Sequence, residues 1–212
     1  MTNLDWLKLN WLNLLTELNA DRLIGEAVFK DLVKAHSDSA RHYHNLNHVR
    51  DLLSWAEWVR EIAELSSTIE LAAWFHDYVY DSQRQDNEIK SAIYAEKTLT
   101  RLNVAPDIIQ TVKQIILSTQ KHQPSIGSID NLIFLDLDLA IIGASSERYF
   151  EYAAAIRKEY SWLSDRDYQQ GRKQVLNSFL TRTKIYYTDC FYQSREQQAR
   201  ANLAKEIELL DV

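Results

Sequence analysis

The sequence predicts an all-α protein, a single compact multi-helix bundle, on three observations. Four glycines and two prolines in 212 residues are too few for a fold built from hairpins and turns. Apolar residues recur at steps of three and four along most of the chain, and strand-like alternation never persists. No segment repeats at a period of about 20–50 residues, which excludes a helical solenoid. The length suits one domain, and residues 1–212 read as one because no composition shift marks a linker.

The first two helices are predicted from "DWLKLNWLNLLTEL", residues 5–18, and "DRLIGEAVFKDLVKAHS", residues 21–37. Trp6, Leu7, Leu9, Leu14, Leu15 and Leu18 form the apolar stripe of one, and Leu23, Ala27, Leu32 and Val33 that of the other. Further helices are expected over 46–65, 68–79, 86–101, 106–122, 129–142, 146–160, 166–181 and 195–210. Pro106 suits a first helical turn, and Ser145 or Ser146 after Gly143 suits an N-cap. "QKHQPSIGSID", residues 120–130, is the clearest loop, and "KIYYTDCFY", residues 184–192, reads as a short extended connection.

The formal net charge of −6 and the lack of a long basic run argue against a nucleic-acid polymer as partner. Cys190 is the single cysteine, so neither an internal disulfide nor a C-x-x-C metal motif is available. The opening "MTNLDWLKLNW" lacks the apolar core of a signal peptide, and no run of about 18 apolar residues occurs. No membrane association is expected, and the expected location is cytoplasmic.

Polar residues set into apolar stripes carry the functional signal. "RHYHNLNHVRDLLSWAEWV", residues 41–59, holds three of the six histidines. On a helix from Leu46, His48 shares a face with Leu52, Trp55, Val59 and Ile62 and so points inward. A lone inward histidine is ordinarily a hydrogen-bonded core residue. In "IELAAWFHDYVYDS", residues 69–82, His76 and Asp77 interrupt an almost wholly apolar run, where a charge persists only when paired or bound to a metal. Adjacent helical residues diverge by about 100°, so both reach one ion only if it lies beside the helix. In "NLIFLDLDLAIIG", residues 131–143, Asp138 shares a face with Phe134, Leu135, Ile141 and Ile142, whereas Asp136 also reads as a helix-start residue. His122 ends a further stripe of Ile108, Val112, Ile115 and Thr119.

His48, His76, Asp77 and Asp138 thus embed two imidazoles and two carboxylates in three apolar helices. One shared divalent cation satisfies all four; separate buried hydrogen-bonded pairs are the rival arrangement. Nitrogen and oxygen donors without thiolate suit Mn²⁺, Fe²⁺, Co²⁺, Ni²⁺, Zn²⁺ or Mg²⁺, with positions left for water.

The order H … HD … D, set here by His48, His76, Asp77 and Asp138, resembles the HD-domain superfamily of metal-dependent phosphohydrolases. "YHNLNHV", "AAWFHDYVYD", "DNEIKSA" and "FLDLDLAIIG" are similar to a bacterial subfamily of predicted HD phosphohydrolases. The likeness extends through "YAAAIRKEY" and "GRKQVLNSFL" and is strongest over residues 40–185. It implies a helical bundle of HD-domain type with one divalent metal held by His48, His76, Asp77 and Asp138. Two departures narrow it. The HD hydrolases of guanosine tetraphosphate carry an acidic pair where this chain has Tyr80 and Asp81, so one carboxylate is missing. Cyclic-nucleotide phosphodiesterases and di-iron oxygenases carry extra histidines before the last Asp; only His122 stands there, so a second full metal site is not expected.

The expected activity is a metal-dependent phosphohydrolase (a hydrolase) acting on a small phosphorylated compound, nucleotides included, through metal-activated water. The alternative is a non-catalytic metal- or ligand-binding helical sensor module. Asp81 is the expected proton donor, being one turn past Asp77 on a continuing helix, with Glu88 next; both also read as solvated carboxylates. Arg172 shares the apolar side of its helix with Tyr168, Val175, Leu176 and Phe179 and needs an anion, either substrate phosphate or an internal carboxylate. Arg41 and His44 are further substrate-binding candidates, and His44 also suits a role orienting a ligand. Trp74, Tyr78 and Tyr80 are expected to line the pocket.

Overall fold

Thr2 and Asp5 close a reciprocal cap on the first helical turn of the computed structural model, which describes residues 1–211. Ten α-helices and one 3₁₀ turn succeed one another, and no strand occurs among the described residues. The fold class is all-α, as the sparse glycine and proline require. The chain divides into two compact units, Met1–Leu135 and Asp136–Val212. The division falls inside a helix, so no linker composition marks it.

The first unit holds α1 (Asn3–Glu17), α2 (Arg22–His36), α3 (Leu46–Trp58), α4 (Ser66–Phe75), α5 (Asn87–Arg101), α6 (Pro106–Thr119) and the greater part of α7 (Ile129–Asp138). Helix α4 is its centre: every residue from Ser67 to Phe75 is buried, and α3, α5 and α6 pack on it. Trp74 lies edge-on between Trp11 and Phe29, with centroids 5.6 and 5.9 Å away. Full burial of such a ring contributes about 2–3 kcal/mol from apolar area alone. The Trp11 indole N–H donates to Gly25 O at 2.9 Å, which fixes α1 on α2. A Cβ at Gly25 would fall 2.2 Å from Leu15 Cδ1, so a larger residue here would have to displace the end of the Leu15 side chain.

Helix α3 stops at Trp58, short of the expected 65. The connection that follows is tied across the fold: the buried Asp130 carboxylate accepts from Glu64 N at 2.8 Å, Leu65 N at 3.0 Å and Thr68 Oγ1 at 3.1 Å, just ahead of and in the first turn of α4. Ile62, placed on the inward stripe of His48 by periodicity, therefore lies beyond the helix and is 49% exposed. Helix α6 likewise ends at Thr119, and His122 sits past it with φ of 45°, so it does not extend the α6 stripe.

The second unit holds the last turn of α7, a 3₁₀ turn at Ala140–Gly143, α8 (Ser146–Glu159), α9 (Asp165–Leu180) and α10 (Asp189–Leu210). Helix α10 packs on the 3₁₀ turn, α9 and α8. The expected helix over 129–142 breaks at Asp138, and α10 begins at Asp189 instead of 195. Buried carboxylates again tie the connection. Glu196 accepts from Ile185 N and Tyr186 N, and Asp136 accepts from Tyr187 N and Thr188 N, so the expected extended stretch is a tied loop leading into a helix.

Candidate metal centre

His48 enters in the first turn of α3, where Asn45 Oδ1 accepts from Asn47 N at 2.9 Å and starts the helix. The side chain is buried, one turn before Leu52. Helix α4 ends at Phe75, so His76 and Asp77 stand in the turn that follows it, not in a continuing helix to 79. His76 is the C-cap, with helical dihedrals and its N–H on Ala72 O at 2.9 Å, and its Nε2 lies 3.0 Å from Asp77 Oδ2. His48 Nε2 lies 3.3 Å from His76 Nε2 and 3.8 Å from Asp77 Oδ2.

Asp138 follows from the geometry of α7. The Phe134 ring meets the His76 imidazole edge-on at 5.4 Å, and Asp138 stands one turn further along the same helix. His48, His76 and Asp138 each offer a ligand atom within 4.8 Å of the others, a buried His/His/Asp cluster able to chelate a metal.

Asp77, the fourth expected ligand, is not one of those three, yet its carboxylate stands beside both imidazoles, and together these groups fit a divalent ion on two counts. With bonds of about 2.1 Å, neighbouring ligand atoms stand about 3.0 Å apart in an octahedron and about 3.4 Å apart in a tetrahedron. The edges of 3.0, 3.3 and 3.8 Å among His76, His48 and Asp77 lie around those values. Second, Asp77 Oδ2 is buried and accepts no hydrogen bond. Pairwise hydrogen bonds among these groups leave that oxygen unsatisfied, whereas a cation satisfies it. Burial by itself would raise the Asp77 carboxyl, yet the imidazoles of His76, His44 and His48 hold it well below the usual carboxylate range.

Around the cluster, the Tyr43 ring lies 4.8 Å from that of His48, and His44 stacks on Tyr80 at 4.2 Å. His44 also meets His48 edge-on at 5.8 Å. Arg41 is buried, and its guanidinium donates to the carbonyls of His44 at 3.2 Å, Asp77 at 2.6 Å and Tyr78 at 2.9 Å. His36, unremarked in the sequence, lies behind it. Nη1 of Arg41 donates to His36 Nδ1 at 3.3 Å, which leaves His36 Nε2 to donate to Trp74 O at 3.3 Å. Burial first, then the Arg41 charge, pushes the His36 imidazole down to about 3, in keeping with this neutral tautomer. Its signal was present in the sequence: His36 continues the four-residue stripe of Val28 and Leu32 on α2.

The other expected residues are placed as follows. Asp81 is exposed and accepts from Gln83 N at 2.9 Å in a turn; because α4 ends at Phe75, it is not one helical turn from Asp77. Glu88 is half-buried in the first turn of α5. Asn87 and Ser91, also unremarked before, tie the intervening loop through Asn87 Nδ2 to Asp81 O at 2.9 Å and Val79 N to Ser91 Oγ at 3.0 Å. Arg172 finds its anion inside the second unit, where Nε and Nη2 donate to the buried Glu206 at 2.8 and 3.1 Å. Trp74 is wholly buried in the core and lines no pocket, and Tyr78 stacks on Tyr94 at 3.5 Å.

No helix among the described residues is long and apolar enough to cross a membrane. Comparison with family models, with curated proteins and with solved structures gave no match.

Proposed function

We propose that the chain is an HD-type, metal-dependent phosphohydrolase acting on a small phosphorylated compound, with His48, His76, Asp77 and Asp138 as metal ligands. The observation that carries this is the convergence of His48, His76 and Asp138, from α3, the end of α4 and α7, within 4.8 Å of one another. The H … HD … D order and its surrounding motifs supply the reaction class. A divalent ion held there supplies polarisation of a phosphoryl oxygen and an acidified water, so no serine or cysteine nucleophile is needed.

The protein's own groups do the rest. Two imidazoles and two carboxylates leave coordination positions open for substrate and water. Phe134 against His76 and Tyr43 against His48 fix both rings, which holds the donors in place before anything binds. Protonation of the leaving oxygen falls to a carboxylate outside the cluster, Asp81 or Glu88. His44, stacked on Tyr80 beside His48, is the group we assign to substrate contact.

The test has two stages. Purified protein loaded with Mn²⁺ or Co²⁺ is analysed for metal beside His76→Ala, then screened against phosphomonoesters, diesters and pyrophosphates. Stoichiometric metal lost in the variant, with phosphate release that chelation stops, is the expected result. Equal metal content in both proteins removes the ligand set. Metal without turnover of any class leaves the sensor function.

A further inference from the structure

We propose that Arg41, backed by His36, is the positioning residue of this site: its guanidinium holds the chain where α4 unwinds, so that His76 and Asp77 converge on one point. The functional consequence rests on the metal reading above; the mechanical one does not.

An α-helix ends with carbonyls that have no partner in the helix, and these are usually met by a glycine C-cap or by water. No glycine or proline follows α4, whose sequence runs Phe75, His76, Asp77, Tyr78, Val79; Phe75 O accepts from Tyr78 N at 3.1 Å, which leaves the carbonyls of Asp77 and Tyr78 to be met from elsewhere. A side chain 36 positions upstream meets them. Arg41 Nη1 and Nη2 donate to Asp77 O at 2.6 Å and Tyr78 O at 2.9 Å. His36 Nε2 reaches Trp74 O at 3.3 Å on the last turn, and its Nδ1 accepts from the same guanidinium. A cation at the carbonyl end of a helix is favourable in itself, and charge-assisted bonds in a buried setting are the strong ones.

The same guanidinium donates to His44 O at 3.2 Å, in the turn that leads into α3 and His48. One buried side chain therefore sets the register between the segment carrying His48 and the segment carrying His76 and Asp77. It also lies over Tyr80, 5.5 Å from the ring centroid. Only a planar fork reaches several carbonyls in different directions at once; a lysine ammonium at the same place cannot. Arg41, expected at the substrate, places bonds on three main-chain carbonyls of the ligand-bearing turns and one on His36.

The test compares the 212-residue wild type with Arg41→Lys and Arg41→Met in two measurements, and with Arg41→Ala in a rescue experiment. In the metal-free protein, amide hydrogen exchange over residues 76–81 should rise in both variants, while exchange in α1 and α6 stays as in wild type. In a Co²⁺ titration followed by visible absorption, the dissociation constant should rise about 10–100-fold with an altered d–d spectrum, the usual effect of losing an outer-shell partner. Added methylguanidinium should restore part of the affinity in Arg41→Ala, and methylammonium should not. Arg41→Lys carries the test should Arg41→Met fail to fold. Unchanged exchange at 76–81 in both variants overturns the clamp. Unchanged Co²⁺ affinity and spectrum overturn its role at the site. Wild type that takes up no Co²⁺ overturns the metal reading, and the exchange measurement then judges the clamp separately.

Discussion

Asp136 and Asp138 stand two residues apart in α7 and serve different ends. Asp136 is buried and accepts three bonds of 2.7 Å, from Tyr187 N, Thr188 N and Thr188 Oγ1, whereas Asp138 joins His48 and His76. The two substitutions should therefore separate cleanly. Asp136→Ala leaves three donors without an acceptor and should cost about 2–4 kcal/mol of stability by denaturant unfolding, with metal content intact. Asp138→Ala should lower metal affinity at least tenfold with little change in metal-free stability. The reverse pattern would exchange their roles.

Arg172 and Glu206 make a bidentate pair with side chains 9% and 6% exposed, and the Tyr149 hydroxyl donates to the same carboxylate. Removing one partner strands a buried charge. Arg172→Met should lower stability by about 3–5 kcal/mol, and adding Glu206→Gln should recover part of it, measured by thermal or urea melts. A variant of normal stability that loses only turnover would return Arg172 to the substrate.

Asp81 is exposed in a turn, and Glu88 is half-buried in the first turn of α5. On any substrate found by the screen, Asp81→Asn and Glu88→Gln distinguish the two proton donors. The true donor should lose about 10²–10⁴-fold in kcat with metal content unchanged. Near-normal kcat in both variants would remove a carboxylate acid from the mechanism.

Glu70 supplies a pH dependence remote from the metal ligands. Burial, opposed by Arg60 at 3.0 Å and reinforced by Glu17 and Glu57, pushes its carboxyl up to about 7 from an ordinary 4.5. The folded state therefore favours the protonated form. This contribution to stability is complete below pH 4.5, declines between 4.5 and 7, and is absent above 7. Glu70→Gln should accordingly raise the melting temperature relative to wild type at pH 8 and have little effect at pH 4. An equal shift at both pH values would assign the effect to packing.

The sequence by itself determined the helices and the polar residues embedded in them. Low glycine and proline with three- and four-residue apolar steps are local properties, and they yield ten helices near their expected places. His48, His76, Asp77 and Asp138 were visible because an ionisable group in an apolar stripe needs a partner wherever the stripe packs. Tertiary structure alone decided where helices stop and which polar groups meet. The entry to α4 and the turn after it are tied by Asp130 and Arg41, each distant in sequence from the segment it holds. The choice between Asp136 and Asp138 depends on Thr188 and His76, and the fate of the Arg172 guanidinium depends on Glu206. Periodicity reports which face of a helix is apolar, but a hydrogen bond across the fold is written in no local pattern. That is why the bonds from Arg41 to the turn after α4 could not be read from the sequence.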